Sequence, residues 1–145
     1  MDMGDLYEEV EAWILILLRI AAGISWKHCV RQNVYTVGFT GLLLACMLKS
    51  RNPATGLWIQ RWLEEHLKGD EFEEGNFPVF QVLETVRLVN RERADGWDVL
   101  SLFQTVDDRG GSGKLGSYHS QRLVSLLVYA RCRSTGSMQS YCRMI

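Results

Sequence analysis

At 145 residues the chain has room for one well-cored domain and not for two. Hydrophobic residues at 47% and charged residues at 23% exclude wholesale disorder, and two prolines with four cysteines exclude collagen-like and disulfide-dense scaffolds. A net charge of −1 excludes a uniformly basic coat for nucleic acid.

The first eleven residues carry five acids and no base, the reverse of a secretory leader. Reduced thiols in an intracellular compartment, cytoplasmic or nuclear, are therefore the expectation. Asp5 followed by Glu8 reads as a capping box and predicts a helix over Leu6–Ala22, stopped by Gly23. Trp13–Leu18 is apolar on every face, so this helix needs protein or lipid around it. Arg19 interrupts the run and must reach the surface or a carboxylate.

Two stretches, Ala12–Trp26 and Gln32–Leu48, approach membrane-span length without reaching the roughly 20 apolar residues a span requires. Helices in a protein core are the preferred reading. Insertion of residues 12–48 as a hairpin or interfacial element is the alternative. Cys29–Leu48 is assigned to helix, although Val34, Tyr35, Thr36, Val37 and Phe39 are strand formers.

Asn52-Pro53 starts the next helix, with Leu57, Trp58, Ile59, Trp62, Leu63 and Leu67 on its apolar face and Gly69 as its stop. Asp70–Gly75 is an acidic loop. Val79, Val82, Leu83, Val86 and Val89 form a further helical stripe, broken by Asp95-Gly96. Trp97, Leu100, Phe103 and Val106 sit at helical spacing, and a last helix is predicted over Ser117–Arg133. Ser134–Ile145 shows no periodic apolar face, so its removal is expected to leave folding intact. The fold expected is therefore all-α: one compact bundle of about six helices over residues 1–133, with a flexible tail over 134–145.

Charge is unevenly distributed. Residues 1–108 hold ten bases and seventeen acids. Residues 109–145 hold Arg109, Lys114, Arg122, Arg131, Arg133 and Arg143 and no acid. A basic C-terminal element docking on an acidic body accounts for this more economically than an anionic partner, and nucleic acid is not the expected partner. The Gly/Ser run over 109–117 reads as a surface loop.

Motifs for chemistry are few. GGSGKLGS fails as a phosphate loop, because Leu115 stands where Ser or Thr must follow Lys114 and Asp108 where a glycine is required. Neither a G-x-S-x-G nor an H-E-x-x-H occurs. Cys29, Cys46, Cys132 and Cys142 have no C-x-x-C spacing, and a metal set drawn from His28, Cys29, His119, Cys132 and Cys142 would need distant segments to converge. No cofactor or metal is expected. Five tryptophans are many for this length. Trp58 and Trp62, one turn apart with Arg61 between them, are the candidate surface for a protein partner. The leading function is a non-enzymatic helical interaction module, an adaptor or regulator. Membrane association through 12–48, and an enzyme or nucleic-acid binder with dispersed residues, are the other readings.

Overall fold

The computed structural model of the chain describes residues 3–23, 39–66, 73–74, 77–105 and 125–145. Within them lie helices α1 (Met3–Gly23), α2 (Phe39–Lys49), α3 (Pro53–His66) and α4 (Val79–Ala94). A short antiparallel pair, β1 (Glu73–Glu74) with β2 (Phe77–Pro78), falls between α3 and α4. After α4 come β3 (Trp97–Thr105), β4 (Ser125–Cys132) and β5 (Met138–Met144), an antiparallel sheet in the order β3-β4-β5. The architecture is α+β, which overturns the all-α bundle of about six helices.

Two predicted helices are strands, and each error has a physical cause. In β3 the inward residues are Trp97 and Val99. The register then slips between Val99 and Ser101, so that Leu102 opposite Val128 turns inward. That bulge adds a residue and erases the period-two alternation, leaving Trp97, Leu100 and Phe103 at a helix-like spacing of three. In β4 Leu126, Val128 and Ala130 are buried, while Ser125, Leu127, Tyr129 and Arg131 point the other way. An apolar run this short fits either period, and β-branched Val128 and aromatic Tyr129 favour the strand. The rest of the segment read as the last helix, residues 117–124, lies outside the described residues.

The segment read as a frayed tail contains an edge strand of the sheet. Met138–Met144 pairs with β4 from Arg131↔Met138 to Ser125↔Met144. Its inward positions are Gln139, Tyr141 and Arg143, opposite Ala130, Val128 and Leu126. They are polar or amphipathic, which is why no hydrophobic period marks them.

The Asn52-Pro53 start and the Asp95-Gly96 stop hold, whereas the first helix begins at Met3 rather than Leu6, so Asp5 lies within its first turn and is not its cap. Asn52 Oδ1 accepts the Ala54 amide at 3.0 Å and Pro53 takes the first helical position. Gly96 adopts φ +95°, its amide donating to the Arg93 carbonyl at 3.2 Å, so Asp95-Gly96 closes α4 and turns the chain into β3. Of the Cys29–Leu48 prediction, residues 39–48 are helical in α2, and 29–38 lie outside the described residues, as do Leu67 and Gly69.

The core is built around α4. Val82, Val86 and Val89 are fully buried against Ile59 and Leu63 of α3, Leu43 and Met47 of α2, and Val99, Leu126 and Val128 of the sheet. At the α3–α4 crossing Gly56 lets the helices close up, and Asn90 Nδ2 donates to its carbonyl at 3.0 Å and to Gln60 Oε1 at 2.8 Å. A Cβ at Gly56 would overlap Asn90 Oδ1 and press on the Met47 methyl. Arg93 Nη2 donates to the Met47 carbonyl at 2.7 Å, satisfying the C-terminal end of α2. By contrast α1 buries only Ile14, Leu18 and Ala21. Its tether is polar: Glu11 accepts from the Ser50 hydroxyl at 2.8 Å and the Arg51 amide at 2.6 Å, and the Arg51 guanidinium lies 3.3 Å from the Tyr7 ring centre. Arg19 is exposed.

Candidate functional site

The three residues singled out on α3 have different fates. Trp62 points into the core and is 4% exposed, its ring stacked on His66 with centres 4.5 Å apart. His66 in turn sets Nδ1 2.8 Å from the Trp62 carbonyl oxygen, one helical turn back. Trp58 is half-buried and packed against the core, and Arg61 is exposed. The i, i+4 spacing of the two tryptophans was visible in sequence, but it marks the inward side of α3 and leaves Arg61 alone on the surface. A partner could reach the outer edge of Trp58 and the Arg61 stem, and not the Trp62 ring.

The surface that sequence reasoning passed over is on α1. Leu6, Trp13, Ile16 and Ile20 are exposed, Trp13 to 60%. Their spacing of seven, three and four puts them on one stripe, facing away from Ile14, Leu18 and Ala21. Leu15 is also exposed but projects from a different side of the helix. The stripe is acidic at its N-terminal end, where Asp5, Glu8 and Glu9 are exposed, and Arg19 is the one charge near its C-terminal end among the described residues. A helix apolar on every face gave the signal. What sequence could not give is which half of it the core would leave uncovered.

Among the described residues, the C-terminal arginines Arg131, Arg133 and Arg143 are accounted for within the molecule. Arg131 and Arg133 reach the two oxygens of Asp98 at 3.4 and 2.9 Å, and Arg133 also donates to the Arg93 carbonyl. Arg143 Nε donates to Glu92 Oε1 at 2.8 Å, and the Tyr141 hydroxyl donates to Glu92 Oε2 at 2.6 Å. Burial works against ionisation of Glu92, which is 6% exposed. The bonds from Arg143 and Tyr141 outweigh it and hold the carboxyl below its ordinary value. The Tyr141 hydroxyl is pushed up by burial and by the Glu92 carboxylate it serves. With both oxygens engaged, Glu92 anchors β5 to α4 and is not placed to exchange protons with a substrate.

At the β4–β5 turn the Cys132 thiol is lowered to about 7 by the hydroxyls and amides of Ser134 and Thr135, with Sγ 3.2 Å from Ser134 Oγ. Cys46 is pushed up by burial. Among the described residues no three His, Cys, Asp or Glu side chains are placed to hold a metal ion. His28, Cys29 and His119 of the sequence-derived set lie outside them. No described helix is long and apolar enough to cross a membrane. Comparison with family models, with curated proteins and with solved structures found no match for this chain.

Proposed function

We propose that this protein is a non-enzymatic interaction module that docks a partner protein on the outer face of α1. The observation that carries the reading is the exposed stripe of Leu6, Trp13, Ile16 and Ile20 on a helix whose other face is in the core. Exposed large apolar side chains aligned on one element mark contact surfaces, and a central tryptophan supplies hot-spot energy. The acids at Asp5, Glu8 and Glu9 select the partner's chemistry: an amphipathic helix with apolar residues along its seam and lysine or arginine toward the N-terminal end of α1. The same acids disfavour an anionic lipid surface, so a protein is preferred to a membrane as the partner. An intracellular location accords with Cys46, Cys132 and Cys142 being free thiols.

A photo-crosslinking residue placed at Ile16 in the full chain tests this in cells, with the same residue at exposed Glu65 as the control. A discrete protein adduct at position 16, absent at position 65 and lost on Trp13→Ala, is the expected result. A lipid adduct at position 16 would move the reading to the membrane. No adduct would remove α1 as a docking face.

A further inference from the structure

We infer that β5 is a self-pairing edge and that two copies of this chain associate through it into one continuous six-stranded antiparallel sheet. The hairpin closes with the Cys132 amide donating to the Ser137 carbonyl at 2.9 Å. From that bond an antiparallel ladder alternates. Gln139, Tyr141 and Arg143 exchange bonds with Ala130, Val128 and Leu126. Met138, Ser140, Cys142 and Met144 therefore turn their amides and carbonyls outward, where no described strand meets them.

The two edges of the sheet differ. β3 carries a bulge between Val99 and Ser101, a feature that twists an edge and spoils its pairing with another chain. β5 runs in unbroken register for seven residues and contains neither proline nor lysine. Its one charge, Arg143, is held by the chain's own Glu92. Nothing in the strand opposes addition of a neighbour.

The sequence of β5 identifies that neighbour as a second copy. Met-Gln-Ser-Tyr-Cys-Arg-Met is near-palindromic in size and polarity about Tyr141. Pairing two copies antiparallel across a two-fold axis at Tyr141 sets Met138 against Met144 of the second copy, Gln139 against Arg143, and Ser140 against Cys142. Each outward residue then uses both its backbone groups, no like charges face each other, and the arrangement closes as an isologous dimer. On the outer sheet face the row Phe103–Leu127–Cys142 would continue into the second copy at Ser140. One strand pair is a modest interface, so association is expected at micromolar rather than nanomolar strength.

Sedimentation velocity of the full chain over a micromolar concentration series should show a monomer–dimer equilibrium. Ser140→Lys with Cys142→Lys places like charges opposite each other on an exposed face and should give a monomer with unchanged circular dichroism. Mixing it with the Ser140→Glu, Cys142→Glu variant should restore a heterodimer. Independently, Ser140→Cys should yield a covalent dimer under mild oxidation that disappears when Cys142→Ser is added. Wild-type protein that stays monomeric throughout overturns the inference. So does a dimer that survives the lysine pair, and so does one that is instead lost on Ile16→Glu, which would put the contact on α1.

Discussion

Helices α1 and α4 invert the usual relation between sequence and burial. By sequence α1 is the more apolar, with Trp13–Leu18 hydrophobic on every side, yet only Ile14, Leu18 and Ala21 are buried. Helix α4 carries Arg87, Arg91, Glu92 and Arg93, yet Val82, Val86, Leu88 and Val89 are all buried and Glu92 is buried with them. The difference is one of surroundings. The α4 helix meets α3, α2 and the sheet, so its valine stripe finds partners and its buried charge finds Tyr141 and Arg143. The α1 helix rests mainly on α2 and is tied down by Glu11. Hydrophobicity states what a helix can bury, and the neighbours decide what it does bury.

The largest expected effect breaks the α4 side of this contrast. Ending the chain at Ser137 deletes the whole β4–β5 ladder and, with it, Tyr141 and Arg143, the two partners of the Glu92 carboxylate. Each hydrogen bond to a charged group contributes about 1.5–3 kcal/mol. Loss of the ladder adds to it. Thermal unfolding followed by circular dichroism should lose its cooperative transition or show it much lowered. An unchanged transition would return residues 138–145 to the status of a dispensable tail, as their lack of an apolar period suggests.

Trp62→Ala sharpens the comparison within α3. A buried tryptophan truncated to alanine costs about 3–5 kcal/mol, and Trp62 is 4% exposed in the shared core. Trp58 is only half-buried, so Trp58→Ala should cost roughly half as much by urea denaturation. Equal losses would mean that the two side chains share one environment.

Glu92→Gln tests the electrostatic link. The folded-state carboxyl lies below its ordinary value, so its stabilisation is present above an ordinary carboxylate pKa of about 4.3 and fades as pH falls through the folded value. The variant should lose about 1–3 kcal/mol at neutral pH. The gap from wild type should narrow in urea titrations at increasingly acid pH. A gap independent of pH would show that the loss is one of packing. Tyr141 has the opposite sign: its raised pKa stabilises the fold below the ordinary tyrosine value of about 10, and that contribution is lost on alkaline titration.

Legibility in sequence follows from which signals are local. The Asn52-Pro53 start, the Asp95-Gly96 stop and the valine stripe of α4 were readable because capping and helical periodicity act over a few residues. Strands β3 and β4 were not, because a bulge in one and a short apolar run in the other mimic a helix. Strand β5 was invisible, since Tyr141 and Arg143 become partners of a buried carboxylate only once Glu92, some fifty positions away, is brought beneath them. The exposed stripe of α1 was half legible. An all-apolar α1 announced unusual surroundings, whereas the choice of Trp58 and Trp62 followed a spacing that serves the core.

The smallest expected effect on stability is the one that decides the role of α1. Trp13 is 60% exposed and its neighbours on the stripe, Ile16 and Ile20, are exposed as well. Removing its ring therefore opens no cavity and strips little buried area, and Trp13→Ala should leave stability within about 0.5 kcal/mol of wild type. Truncation of a tryptophan at the centre of a contact typically weakens binding by about 2 kcal/mol or more. The combination of an unmoved melting temperature and a lost adduct at Ile16 is the signature of a surface kept apolar for a partner. If Trp13→Ala instead costs as much as Trp62→Ala, then α1 is covered on both faces and belongs to the core, and its resemblance to α4 would be restored.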